Sequence, residues 1–353
     1  GDVTINTLGH DSSLMGVASG VGNVHKTNAG RLALEGMNTF TGMVDVQAGS
    51  VAINNANSLG ADANSVMLAN GTSLETAAAV MAKQAVQVTG DVTINTAGHD
   101  SSLMGVVSGN ANVNKIGSGT LNLQGVNTFA GDIRVSSGTL GVANDANLGA
   151  ATNKVILNNA TLMANLASVV LDHNIDIMGA ATFDTAENAL RLNAQLAGGS
   201  LVKTGTGILE LVNANNTQAK TTVNQGKIRV AQNANLGLLD AIVELNGGIF
   251  ESMATQSYER NFSLGTNNGT FNVLTDDTVT LTKSIDGLGN LNKTGTGTLV
   301  LTGTNEVGGS FQYVGSFPKD ISDGTIIERV SNGTLTYNHG SLVGAEQVAC
   351  TFQ

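Results

Sequence analysis

The chain repeats itself at a spacing close to 89 residues, and a period this regular leaves few folds open to it. A phrase of the form Lys-x-Gly-x-Gly-x-Leu occurs at Lys115-Ile116-Gly117-Ser118-Gly119-Thr120-Leu121, at Lys203-Thr204-Gly205-Thr206-Gly207-Ile208-Leu209 and at Lys293-Thr294-Gly295-Thr296-Gly297-Thr298-Leu299. A looser first copy reads Lys26-Thr27-Asn28-Ala29-Gly30-Arg31-Leu32. The lysines are offset by 115−26 = 89, 203−115 = 88 and 293−203 = 90 residues. Asp-Val-Thr-Ile-Asn-Thr begins at Asp2 and again at Asp91, and an Ala-Asn-(Ser)-Leu-Gly phrase ends at Gly60, Gly149 and Gly237. One structural unit is laid down about four times, and tandem units of this kind bury their cores against their neighbours.

Within a copy the chain alternates apolar and polar residues over short stretches, the period of half-buried strands. Asp91-Val92-Thr93-Ile94-Asn95-Thr96, Thr120-Leu121-Asn122-Leu123 and Lys154-Val155-Ile156-Leu157 are examples, separated by Gly, Asn, Asp or Ser. The apolar positions draw on a narrow set of Val, Leu, Ile and Ala. This suits a parallel β-helix, a solenoid in which each side chain stacks on its counterpart one coil away. With rungs of about 20 to 25 residues, a copy holds about four rungs and the chain roughly 14 to 17. At about 4.8 Å per rung they would form a rod of roughly 65 to 80 Å. The lysines, four rungs apart, read as rim residues along one side. Leu32, Leu34, Leu121, Leu123, Leu209, Leu211, Leu299 and Leu301 read as core. A β-propeller is the rival, but propellers carry periodic aromatics, and this chain has no Trp and 3 Tyr. The one helical candidate is Leu74 to Lys83, a short excursion whose counterparts are Leu162 to Asn165 and Phe250 to Met253.

Composition narrows the function. The net charge is −11, which argues against nucleic acid and anionic lipid as partners. Cys350 is the single cysteine, so no internal disulfide framework exists. The chain starts at Gly1 in mid-repeat phrasing, which reads as a fragment with its targeting segments elsewhere. The repeat departs after about Gly309. We therefore divide the chain into repeats over residues 1–309 (about 1–89, 90–178, 179–268 and a partial 269–309) and a non-repeat segment, 310–353. The latter holds Pro318 and two of the three Tyr, and reads as a cap or a contact surface.

The phrase order resembles the passenger-associated transport repeat of bacterial autotransporters, the type V secreted proteins. In copy two it runs from Lys115 through Gly125-Val126-Asn127-Thr128-Phe129-Ala130-Gly131 to Gly138-Thr139-Leu140. Copy one follows with Gly36-Met37-Asn38-Thr39-Phe40-Thr41-Gly42 and Gly49-Ser50-Val51. Copies three and four are degraded at the Asn-Thr-Phe step. The match covers about a third of each copy. The resemblance implies a right-handed β-helical passenger, exported across the outer membrane by a C-terminal barrel and acting as an adhesin or self-association factor. No barrel strands are visible before Gln353, so the barrel is expected to be either outside this sequence or absent.

No complete catalytic constellation is legible. His10-Asp11-Ser12-Ser13 and His99-Asp100-Ser101-Ser102 juxtapose triad residue types, but triads assemble from separated residues, and these phrases read as turns. Asp276 with Asp277, Asp184 with Glu187, and Asp320 with Asp323 offer carboxylate pairs for a glycosidase or lyase, yet only 16 Lys and Arg accompany them. No nonapeptide or EF-hand calcium pattern and no phosphate loop occurs. Neither a catalytic residue, a metal ligand nor a cofactor is therefore assigned. The expected function is a surface-displayed adhesive passenger whose partner is a host-cell or bacterial surface component, or itself. Phe311, Tyr313, Phe317 and Tyr337 are the candidate contact surface. A purely structural stalk is the main alternative, and a polysaccharide-cleaving β-helix a weaker one.

Overall fold

The computed structural model describes residues 1–303 and the short strands Glu306–Val307, Phe311–Tyr313 and Leu335–Tyr337. The chain divides into two compact units, Gly1–Ala181 and Thr182–Gln353. Each is a parallel β-solenoid.

In the first unit the strands stack in three ladders. One holds Val3–Asn6, Val24–Thr27, Val44–Val46, Ser65–Leu68, Ala85–Val88 and Val107–Gly109. A second runs from Ser12–Leu14 through Arg31–Leu34, Ser50–Ile53, Ser73–Thr76, Val92–Asn95, Val113–Ile116, Ile133–Val135 and Lys154–Asn158 to Asn174–Asp184. A third joins Met81–Ala82, Ser101–Leu103, Thr120–Leu123, Thr139–Val142 and Thr161–Ala164. Every pairing is parallel, as a coil returning to the same side requires. Each partner lies one turn further along the chain, as in the run Leu32, Val51, Leu74 and Ile94. Inward side chains stack on their own kind: the eight leucines expected in the core are at most 4% exposed.

The second unit repeats the scheme. Leu196–Thr204, Thr217–Val223, Ile242–Leu245, Phe262–Leu264 and Ile285–Gly287 form one ladder. Ala189–Leu192, Ile208–Leu211, Lys227–Val230, Ile249–Ser252, Gly269–Val273 and Leu291–Thr294 form another. Its core is more aromatic. Phe250 packs edge-on against Tyr258 and Phe262, with centroids 5.0 and 5.2 Å apart, a favourable geometry for aromatic pairs.

The register corrects two expectations. Lys26 stacks in the column Ile5, Lys26, Val46, Leu68, Val88, Gly109. Lys115 does not join it. It continues the column Leu32, Val51, Leu74, Ile94 instead, and is followed there by Val135. In the second unit Lys203 shares a column with Val223, Leu245, Leu264 and Gly287. Lys293 sits on the other column, above Leu209, Ile228, Phe250 and Phe271. Four turns carry the chain from Lys26 to Gly109 in one unit and from Lys203 to Gly287 in the other. Both fall short of the next repeated lysine. The stretch left over, Gly109 to Lys115 or Gly287 to Lys293, equals the step from Lys26 to Leu32 or from Lys203 to Leu209, which leads to the next side. A repeat is thus four turns and one further side, not four rungs. Within each unit its lysines therefore fall on adjacent sides rather than on one.

The helical expectation also fails. Leu74 to Lys83 forms the strands Ser73–Thr76 and Met81–Ala82, and its counterparts lie in Thr161–Ala164 and Ile249–Ser252. Leu74 is held between Val51 and Ile94, and this stacking overrides the helix propensity of the Ala run. Helical turns appear at two copies of the Ala-Asn-(Ser)-Leu-Gly phrase, those ending at Gly149 and Gly237, as the short 3-10 segments Asp145–Leu148 and Asn233–Leu236.

Candidate functional site

The repeated lysines are not rim residues. Lys26, Lys115 and Lys203 are completely buried and Lys293 is 3% exposed. Each ammonium is turned back onto main-chain oxygens. Lys115 Nζ donates to the carbonyls of Ile116 (3.0 Å), Gly117 (2.6 Å) and Ser137 (3.1 Å), and lies 3.0 Å from Thr96 Oγ1. Lys203 Nζ reaches the carbonyls of Thr204, Gly205 and Gln225, and Lys26 Nζ those of Thr27, Asn28 and Ala48. Lys293 Nζ binds the carbonyls of Thr294 and Gly295. An ammonium carries three donors and no acceptor, so it suits a corner where carbonyls of two successive turns converge.

This geometry accounts for the phrase. The position two after the lysine is left-handed, with φ of +83° at Gly117, +74° at Gly205 and +76° at Gly295. In copy one Asn28 takes that role at +61°, as a residue tolerant of left-handed backbone can. At the second glycine there is no room for a side chain: a Cβ on Gly119 would lie 2.1 Å from the His99 carbonyl oxygen.

Burial pulls Lys115, Lys203 and Lys293 down to about 8 and lowers Lys26 as well. The folded chain releases the protons of Lys115, Lys203 and Lys293 near pH 8, whereas the unfolded chain holds them to the usual 10.5. Between those values the unfolded state binds more protons, so stability rises with pH. We expect the urea midpoint to be higher at pH 9.5 than at pH 7.5, and the gain to shrink in Lys115→Met. The range stops short of the tyrosine titration that opposes it, since burial pushes Tyr258 up to about 12. A midpoint that is flat or falling over this range would contradict the assignment.

The other recurring polar residues are braces too. Asn38, Asn127 and Asn216 each accept an amide of the turn below, from Ala18, Val107 and Leu196. Each also donates to a carbonyl of the turn above, on Ser58, Asn147 and Asn235. Copy three keeps this contact and loses only the phenylalanine, replaced by the buried Gln218. Gln84, His173 and Arg260 occupy one further equivalent place, each bonded to the phrase ending at Gly60, Gly149 or Gly237 or to the residues just after it. The His-Asp-Ser phrases turn corners: Asp11 and Asp100 accept the amides of Arg31 (3.0 Å) and Thr120 (2.7 Å). Asp184 accepts the Ala186 amide and Asp277 the Thr255 hydroxyl. Asp320, Asp323 and Cys350 lie outside the described residues. Among the described residues no three His, Cys, Asp or Glu side chains converge on a point that could hold a metal ion.

Of the candidate contact residues, Phe311 and Tyr313 lie on Phe311–Tyr313, paired in register with Leu291 and Lys293. Tyr337 lies on Leu335–Tyr337, opposite Tyr313. Phe317 is outside the described residues. Sequence reasoning missed a charged column of the second unit whose carboxylates are largely covered, the side chains of Glu210 and Glu251 being 14% and 1% exposed. There Arg191, Glu210, Arg229 and Glu251 stack in successive turns. Only the register reveals it, because neighbours in the column are separated in sequence by a whole turn.

Comparison with known proteins gives a consistent picture. The model of the passenger-associated transport repeat matches residues 24–53, 113–142, 201–230 and 291–327, the last extending past Gly309. The chain is 28% identical over 337 residues to the adhesin BmaC autotransporter of Brucella suis biovar 1 (strain 1330), an alignment covering 86% of this chain and 10% of that protein. The chain thus spans about a tenth of the length of this relative. No solved structure matches it.

Proposed function

Because the chain is an autotransporter passenger segment built on passenger-associated transport repeats, we propose that it is exported across the outer membrane and displayed at the bacterial surface. There it acts as a non-enzymatic adhesin, in weak and multivalent contact with a cell surface or with copies of itself. The observation that carries this reading is the likeness to the BmaC adhesin. The geometry is compatible with it, because the repeated polar residues are spent on internal bracing and the outward positions are left to vary. Many molecules on one cell raise a weak site to useful avidity. The contact is assigned to residues 310–353, with Phe311, Tyr313, Phe317 and Tyr337 as its anchors, since aromatic residues dominate binding hot spots.

The 353-residue chain should be displayed on beads beside a version with these four aromatics replaced by serine. The expected result is attachment to cells or clumping of beads by the first, and a marked fall in the second. Beads that neither attach nor clump in either form would remove the adhesive reading and favour a stalk. Attachment unchanged by the four substitutions would move the contact elsewhere on the chain.

A further inference from the structure

The outward residue just before each repeated lysine differs from copy to copy, and so does the residue stacked on it one turn later. The pairs are His25 with Asp45, Asn114 with Arg134, Val202 with Thr222, and Asn292 with Gln312. Only the first sets an imidazole against a carboxylate. His25 Nδ1 lies 2.9 Å from Asp45 Oδ2, and its Nε2 lies 3.7 Å from Asp2 Oδ2 on the turn below. Among the described residues these two carboxylates are the charged groups that face His25. Asp45 is 4% exposed although it takes an outward position of Val44–Val46. Gln47 Nε2 donates to the same Oδ2 (2.6 Å), while Oδ1 is buried with no hydrogen-bond partner among the described residues. A covered carboxylate held by so few donors depends on a positive neighbour. Asp2 is more than half exposed and accepts the Asn23 amide at 2.9 Å.

A neutral imidazole has one donor and one acceptor. It can keep its bond to Asp45 through Nδ1, but it then turns the lone pair of Nε2 toward the Asp2 carboxylate and offers Asp45 no charge. The imidazolium donates at both nitrogens and meets both acids. We propose that Asp2, His25 and Asp45 form a clamp across three successive turns, fastened in acid while His25 carries its second proton and loosened when that proton leaves. The hydrogen bond to Asp45 holds His25 above its usual 6.5, with burial opposing it and Asp2 adding to it. The folded chain therefore binds this proton more tightly than the unfolded chain. The clamp's contribution is whole below pH 6.5 and is lost as pH rises through the higher folded value. The bond from the Asn23 amide holds Asp2 below its usual 3.8, so this partner stays charged in mild acid. The device is independent of what the passenger binds.

An NMR titration of the full chain from pH 5 to pH 8 tests it. It is read at the His25 ring and at the amides of Val3 and Val24, which bond to Asn23 and Met43 across the two junctions. The His25 midpoint is expected to lie above that measured in urea, and Asp45→Asn should lower it by more than Asp2→Asn does. Protection of the two amides, relative to the intrinsic exchange rate at each pH, should be roughly threefold or more greater at pH 5.5 than at pH 7.5. His25→Asn should remove that difference and still fold, since Asn114 holds the same place in copy two. A midpoint no higher than in urea would overturn the proposal. So would amide protection indifferent to pH, or a pH dependence that survives His25→Asn. Should Asp45→Asn not fold, the wild-type midpoint and the His25→Asn comparison still decide.

Discussion

Replacing Lys115 with alanine is expected to destabilise its part of the first unit by about 2 to 4 kcal/mol, because carbonyls that converge on one buried ammonium lose their common donor together. The alanine takes the ammonium donor from the carbonyls of Gly117 and Ser137, while that of Ile116 keeps the amide of Thr96. Each unsatisfied buried polar group costs about 1 to 3 kcal/mol, and water entering the vacated corner offsets part of that sum. A whole domain is stable by only about 5 to 15 kcal/mol, so the change is a large one. It should also be local, because solenoid turns couple mainly to their neighbours. Hydrogen exchange should accelerate from about Ile94 to Ser137, the turns that meet at the corner. Lys83, more than half exposed in its pair with Asp62, is the control, and Lys83→Ala should change stability by less than about 0.5 kcal/mol.

Leu121→Asp should cost several kcal/mol by a different route, burying a carboxylate with no cation to meet it. Leu121 is fully buried, stacked between Ser101 and Leu140. Limited proteolysis should reveal a new cleavage near this turn, while the strands from Ile208 to Leu301 in the second unit keep their protection. Unchanged proteolysis would remove Leu121 from the core.

The solenoid was legible because its cause is local. Val92, Ile94, Leu121 and Leu123 alternate with polar residues, and glycine or asparagine marks the corners. The burial of the lysines was also written in the alternation, but overruled by the rule that lysine stays outside. Val24 and Lys26 share one parity, as do Val113 and Lys115, Leu201 and Lys203, and Leu291 and Lys293. Each lysine therefore occupies an inward position of its strand, and its charge is absorbed by carbonyls that no sequence pattern displays. The rotation of the repeat from side to side follows from arithmetic: four turns from Lys26 or Lys203 end at Gly109 or Gly287, short of the lysines Lys115 and Lys293 that mark the period. Recognising it needs the true turn length. The Arg191 column was invisible for the same reason, since register alone brings its members together. The aromatic contact surface rests on residue type alone.

The most regular feature of this chain, the repeated lysine, is an internal brace. Amine-reactive labelling at pH 8, read residue by residue by mass spectrometry, tests it directly. Lys83, Lys154 and Lys220, with side chains 53%, 47% and 43% exposed, should label within minutes in the folded protein. Lys26, Lys115, Lys203 and Lys293 should remain unlabelled until urea unfolds the chain, despite the lowered proton affinity that would otherwise make them the more reactive amines. Labelling of these four at the rate of Lys83 in the folded protein would place them on the surface and contradict the account.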